Sequence, residues 1–198
     1  SVLDKTGLVF LFAPQCYPAL GPLAAIRKAL GHSTLFNFIG PLLNPVQPSH
    51  RLIGVSNAHM QVLMAQQLTQ WPHLKTALLV HGHQNLDELH PNGQNAGIWV
   101  SQGQQRPHTF TTQLAPHITP PQPFNAQQSA QQFWNLVTQQ TPLPFIEALV
   151  CLNAGAGLWV AGLANSLAEG EAYAQDLLKS GRVLHVLKSC QTIYAHYT

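Results

Sequence analysis

The period of the apolar positions changes several times along the chain, and each change marks an element. Gly7 to Ala13 is a β-branched and aromatic run bounded by Gly and Pro and apolar on both faces, which predicts a buried parallel strand at the centre of a sheet. Pro22 and Gly31 frame Leu23 to Leu30 as a helix, with Leu23, Ile26 and Leu30 on one face and Arg27 and Lys28 near its edge. Arg51 to Val55 reads as a second strand and Ala58 to Gln70 as an amphipathic helix with Met60, Leu63, Met64 and Leu68 turned inward; Thr76 to Val80 reads as a third strand. Strand, helix, strand in this rhythm predicts βαβ units and an α/β fold with a mostly parallel sheet flanked by helices.

Gly97 to Val100 and Thr109 to Thr112 predict a hairpin or edge pair joined by an exposed glutamine-rich turn from Ser101 to Arg106. The proline-rich stretch 114–124 leaves little room for regular structure. From Asn125 onward the pattern is helical: Ala126 to Gln140, Phe145 to Ala164, Glu169 to Ser180 and Val183 to Tyr194, with glutamine replacing charge on the solvent faces. No internal repeat interrupts this order, and residues 1–198 read as one α/β domain ending in a helical segment. Thr34 to Pro45 stands out because two X-Pro pairs, one of them the Gly40-Pro41 corner, fix the backbone while Leu35, Phe36, Phe38, Ile39, Leu42 and Leu43 crowd it with apolar side chains. A rigid, buried corner of this kind walls a ligand pocket or serves as a core crossover.

Composition narrows the class. With 198 residues, 45% hydrophobic and 8% charged, the chain can bury a substantial core. A formal charge of +2 with no block of Lys or Arg gives no electrostatic footprint for nucleic acid. No apolar run approaches the ~20 residues that span a bilayer, and no secretory leader pattern is present, so the cytoplasm is the default location. Cys16, Cys151 and Cys190 lie far apart without a Cys-x-x-Cys pair and read as free thiols.

Asp87 and Glu88 are adjacent acids in a chain that holds only seven, on a loop that comes after a strand. Adjacent carboxylates can both turn toward Mg²⁺, which takes oxygen ligands and is commonly held by one or two carboxylates plus substrate phosphates; a solvated acidic turn is the alternative. His81, His83 and His90 on the same loop suggest a transition-metal site, but their spacing matches no helix-based ligand motif.

Phe10-Leu-Phe-Ala-Pro14, Tyr17-Pro-Ala-Leu20, Ile26-Arg-Lys-Ala-Leu-Gly31, the Thr34 to Pro45 corner, Leu52-Ile-Gly-Val55, Leu86-Asp-Glu88, Leu152-Asn-Ala-Gly-Ala156, Val160-Ala-Gly162 and Leu167-Ala-Glu-Gly170 succeed one another in an order and spacing that resembles the anthranilate phosphoribosyltransferases. These belong to the wider group of phosphoribosyltransferases and nucleoside phosphorylases. The resemblance covers nearly the whole chain. It implies transfer of phosphoribosyl from phosphoribosyl pyrophosphate to anthranilate or a related aromatic amine, Mg²⁺ as cofactor on Asp87 and Glu88, and a homodimer in the complete protein. It implies that Arg27 faces the acceptor carboxylate, a task that suits the planar guanidinium fork, and that Tyr17, Gly40 and Pro41 line the acceptor site. No residue is assigned as a catalytic acid or base.

The chain departs from the family pattern at Tyr17, where His is usual, at Ser33, where Arg is usual, and at Asn85-Leu86, where Asp-Gly precedes the acidic pair. The family's helical N-terminal domain and glycine-rich phosphate loop lie upstream of the point where this sequence begins, so the expectation is a domain truncated at its N-terminus and inactive by itself. A non-catalytic binding or regulatory paralogue and a nucleoside phosphorylase of the same fold stand as alternatives.

Overall fold

The computed structural model describes residues 2–18, 21, 29 and 40–195. Two compact units divide the chain: Ser1–Gln47 with His185–Thr198, and Pro48–Leu184.

In the first unit, helix α1 (Val2–Thr6) ends where Gly7 turns into the left-handed region at φ +70° and returns its N–H to the Leu3 carbonyl. Residues 8–12 are irregular and mostly exposed, with Phe10 76% accessible, and a short helix α2 (Ala13–Cys16) comes next. The strand predicted at Gly7 to Ala13 is therefore not formed. Its composition suits a strand, but a strand exists only with a ladder partner, and this run has none among the described residues. The predicted helix from Leu23 to Leu30, with Arg27, lies outside the described residues apart from Ala29.

The second unit is built on a four-stranded sheet, β1 (His50–Gly54), β2 (Thr76–His81), β3 (Gly93–Ser101) and β4 (Gln104–Thr112), in sequential order. β1 pairs with β2 in parallel through the crossover helix α3 (Ala58–Leu68), as the strand-helix-strand rhythm predicts. β2/β3 and β3/β4 are antiparallel, so the sheet is mixed where the rhythm predicts mostly parallel pairing. The β3/β4 pair is the predicted hairpin, closed by Gln102 and Gly103 at φ +51° and +70°, a two-residue turn whose twist suits it. The exposed turn is thus two residues long, and the strands run further than Gly97–Val100 and Thr109–Thr112.

Ala77, Leu78, Leu79 and Val80 of β2 are all essentially inaccessible, which explains the unbroken apolar run of a strand covered on both faces. Helix α3 covers one face with Met64, Ala65 and Leu68. Its buried stripe is rotated from the predicted one: Leu63 is 40% exposed, and Gln61 is buried instead. Gln61 is tolerated there because its Nε2 donates to the carbonyls of Leu79 at 2.9 Å and Ala96 at 3.3 Å.

The other face is covered by helix α5 (Pro144–Val160), whose Leu152, Ala156 and Val160 join Leu78, Val80 and Leu89 in one core. Stretch 114–124 is irregular, as its prolines predict, and leads to helix α4 (Ala126–Thr138), which starts on a reciprocal cap between Asn125 and Gln128. Helices α6 (Leu167–Lys179) and α7 (Arg182–Tyr194) come last, each within two residues of its predicted start. No helix among the described residues is long and apolar enough to cross a membrane.

Helices α5 and α6 cross in backbone contact at Gly155 and Gly170: a Cβ on Gly155 would lie 2.3 Å from the Glu171 nitrogen, and one on Gly170 would lie 2.3 Å from the Gly155 carbonyl oxygen. Elsewhere in a helix Gly→Ala gains roughly 0.5–1 kcal/mol. Here the added methyl must push the helices apart, so Gly155→Ala costs roughly 1–3 kcal/mol, measured by denaturant unfolding. A stabilised variant would mean that the crossing is looser than these contacts.

Candidate functional site

β2 delivers the chain at its carboxyl end into the loop 82–92, the place where open α/β sheets gather ligands. The loop is held by its backbone. Gly82 donates to the Leu86 carbonyl at 2.8 Å, closing a turn in which Gln84 and Asn85 take φ of +63° and +62°. The carbonyl of Asp87 then passes so close to Gly54 that a Cβ there would sit 1.5 Å from it, and the carbonyl of Glu88 passes Gly82 the same way at 1.9 Å. Only glycine admits these approaches.

Beyond Glu88 the backbone is fixed by a pair of carboxamides. Asn153 of α5 accepts from the Leu89 N–H at 2.8 Å and donates to the Leu89 carbonyl at 2.9 Å, as a neighbouring strand would. Asn95 of β3, 1% accessible, accepts from the N–H groups of His90 at 2.7 Å and His83 at 3.2 Å, and donates to the His90 carbonyl at 3.0 Å. Thr112 adds a hydroxyl donated to that carbonyl at 2.8 Å. Asp87 and Glu88 are thus set on a backbone clamped immediately after them.

Asp87 is exposed and Glu88 half-buried. Partial burial, reinforced by the neighbouring Asp87 and opposed by His90, holds the Glu88 carboxyl above the usual carboxylate range. Neither carboxylate takes part in a hydrogen bond among the described residues. The histidines of the loop are engaged otherwise: His81 Nδ1 donates to the Val55 carbonyl at 2.7 Å, and His83 and His90 pack edge to face with ring centroids 5.7 Å apart. Among the described residues, no three His, Cys, Asp or Glu side chains converge as a metal site.

In the first unit, the half-buried Tyr17 donates its hydroxyl to the Leu43 carbonyl, just past the single helical turn Gly40–Leu42. The structure therefore brings Tyr17 to the Gly40-Pro41 corner. Gly40 and Pro41 themselves are exposed, which corrects the expectation of a buried corner; its apolar residues 35, 36, 38 and 39 lie outside the described residues, and Leu42 and Leu43 are half-buried. Arg27 also lies outside them. The three cysteines are free, and burial together with Glu147 and Glu171 pushes the Cys151 thiol up to about 11, an unreactive state.

Sequence reasoning does not single out Asn95 and Asn153 as site residues. Asn is depleted in strand interiors, so an Asn within β3, third in the strand, is the available signal for the first. The second stands within the run Leu152-Asn-Ala-Gly-Ala156, a polar side chain in a helix that is otherwise strongly apolar.

The family model for the glycosyl transferase family, a/b domain, matches residues 1–184. The anthranilate phosphoribosyltransferase of Synechococcus sp. (strain RCC307) is 37% identical over 189 residues, covering 91% of this chain and 53% of the relative. The solved anthranilate phosphoribosyltransferase of Thermus thermophilus superposes with a TM-score of 0.79 at 30% identity over 94% of this chain and 56% of that one. That of Saccharomyces cerevisiae in complex with PRPP and Mg superposes with a TM-score of 0.69 at 22% identity over 86% of this chain and 50% of that one, a likeness of fold. The chain spans about half the length of the curated relatives it matches.

Proposed function

Because the chain belongs to the glycosyl transferase family, a/b domain, we propose that it is the part of an anthranilate phosphoribosyltransferase that holds the metal-bound pyrophosphate and the acceptor. The observation that carries the reading is the Asp87-Glu88 pair on its clamped backbone at the carboxyl end of β2. In the reaction, the acceptor nitrogen forms a bond to C1 of phosphoribosyl pyrophosphate, the C1–O bond to pyrophosphate breaks, and the nitrogen loses a proton.

The donor set fits Mg²⁺: oxygen only, in two carboxylates without other hydrogen-bond partners among the described residues, to which substrate phosphates commonly add the remaining ligands. The same ion is named with PRPP in the yeast complex. When bound, Mg²⁺ neutralises charge that develops on the leaving pyrophosphate. Asp87 and Glu88 would hold the ion, and their fixed backbone means that little reorganisation accompanies the reaction. Arg27 binds the acceptor carboxylate, and Tyr17 with the Gly40-Pro41 corner walls its ring, which orients the attacking amine. The homodimer of the complete protein belongs to the same proposal and is tested by its mass in solution.

Arg27→Ala in the complete protein raises the acceptor KM by about tenfold to a hundredfold, the loss of one charge-assisted pair at roughly 1.5–3 kcal/mol. The KM for phosphoribosyl pyrophosphate moves far less. Steady-state kinetics with each substrate varied in turn checks this, and equal effects on both would assign Arg27 to the fold. The reading as a whole is tested by the Mg²⁺-dependent conversion of anthranilate and phosphoribosyl pyrophosphate; phosphorolysis of nucleosides without such conversion would replace it.

A further inference from the structure

The α5 face of the sheet carries a concavity at the end away from Asp87. It is an open cleft of ≈ 830 Å³, within the usual size of ligand sites, lined by His50, Lys75, Thr76, Trp99, Arg106 and Trp159 among others. Strand register accounts for its make-up. Residues directly opposite each other share a face, so His50, Thr76, Ser101 and Gln104 form one row, and Leu52, Leu78, Trp99 and Arg106 form the next.

The first row is polar, and α5 stops above the second with Trp159 as its last large side chain. Trp159 and Trp99 lie 4.5 Å apart between ring centroids, with His108 against Trp159 at 5.9 Å. Both indoles are only half-buried, so the cleft has an aromatic wall beside a hydroxyl-bearing floor.

Charge is divided between the two ends of this face. Of the acids in the second unit, Asp87, Glu88, Glu147, Glu169, Glu171 and Asp176, none lines the cleft, whereas Lys75 and Arg106 both do and both are exposed. A concave site with cationic heads, hydroxyls, indoles and no carboxylate suits a ligand that joins a planar ring to an anion. We infer that this cleft binds a small anionic aromatic molecule, a planar ring carrying a phosphate or a carboxylate, at a site separate from the Asp87-Glu88 loop. The inference does not depend on the transferase reading.

The probes are adenosine 5′-monophosphate, naphthalene-1-carboxylate and, as an anion without a ring, inorganic phosphate. Each is titrated into the chain by calorimetry and monitored in a nitrogen-proton correlation spectrum through the indole N–H signals. The ring-bearing probes bind saturably in the micromolar to millimolar range and shift the signals of Trp99 and Trp159 while those of Trp71 and Trp134 stay. Arg106→Gln and Lys75→Gln, both at exposed positions, each weaken binding about tenfold. Asp87→Asn with Glu88→Gln leaves it unchanged, which keeps failure here distinct from failure of the proposed function. Tighter binding of the nucleotide identifies the anion as phosphate, and tighter binding of the naphthoate identifies it as carboxylate. Inorganic phosphate binding as tightly as the nucleotide, unmoved Trp99 and Trp159 signals, or affinities indifferent to both substitutions would overturn the site.

Discussion

Replacing Asp87 by Asn and Glu88 by Gln together in the complete protein weakens Mg²⁺-dependent binding of phosphoribosyl pyrophosphate by on the order of a hundredfold or more, two charge-assisted contacts being lost at once. The fold survives, because neither carboxylate is tied into a hydrogen bond among the described residues. The single change Glu88→Gln separates function from stability. The folded-state pKa of Glu88 lies above its unfolded value, so the folded protein holds that proton more tightly and the ionised side chain is a cost at neutral pH. Glu88→Gln therefore raises the melting temperature of the metal-free protein near neutral pH, and this gain disappears as pH falls below the ordinary carboxylate range. Metal binding has the opposite sign: it weakens as pH falls through the raised pKa of Glu88. Calorimetric titration with and without Mg²⁺ over that pH range reads both effects. Metal-dependent binding that is unchanged in the double variant would remove the carboxylates from the site.

Asn95→Ala is expected to be the most destabilising polar substitution in the second unit, at roughly 3 kcal/mol. It strands the N–H groups of His83 and His90 and half-satisfies the His90 carbonyl, all close to the core, and buried polar groups left without partners cost about 1–3 kcal/mol each. Because the same amide clamps the backbone after Glu88, loss of stability and loss of Mg²⁺-dependent binding should travel together. Denaturant midpoints and exchange protection of the His83 and His90 amides measure the first, and calorimetry the second. A loss below about 0.5 kcal/mol, the range of ordinary surface changes, would show that water replaces the carboxamide.

The features of the site that are legible in sequence are those whose chemistry is local. Asp87 and Glu88 announce themselves by adjacency after an apolar run, and the helices from Ala126 onward by their period. The illegible features depend on partners distant in the chain. Residues 8–12 have the composition of a strand and no ladder, because pairing is a tertiary property that composition does not carry. The period of α3 points to Leu63 rather than Gln61, since a polar residue looks like a surface residue until two strand carbonyls are found above it. Gly155 and Gly170 are small residues in apolar surroundings, and only the crossing of α5 and α6 makes them necessary. The hairpin of β3 and β4 is legible in its two apolar runs, though its turn is shorter than predicted, whereas the antiparallel pairing of β2 with β3 across the loop 82–92 is not.

The two clamps on the loop after Glu88 reach it over very different stretches of chain. Asn95 lies five residues from the His90 amide it accepts, inside a meander whose contacts are local, whereas Asn153 lies 64 residues from Leu89. Closing a short loop costs less entropy than closing a long one, and local contacts form early in folding. The meander with its Asn95 half of the loop is therefore the early element of this unit, and the Leu89 backbone gains its second clamp only when α5 lands on the sheet. Completion of the loop after Glu88 is a late event, and a fluctuation that lifts α5 frees Leu89 while the hairpin stays folded.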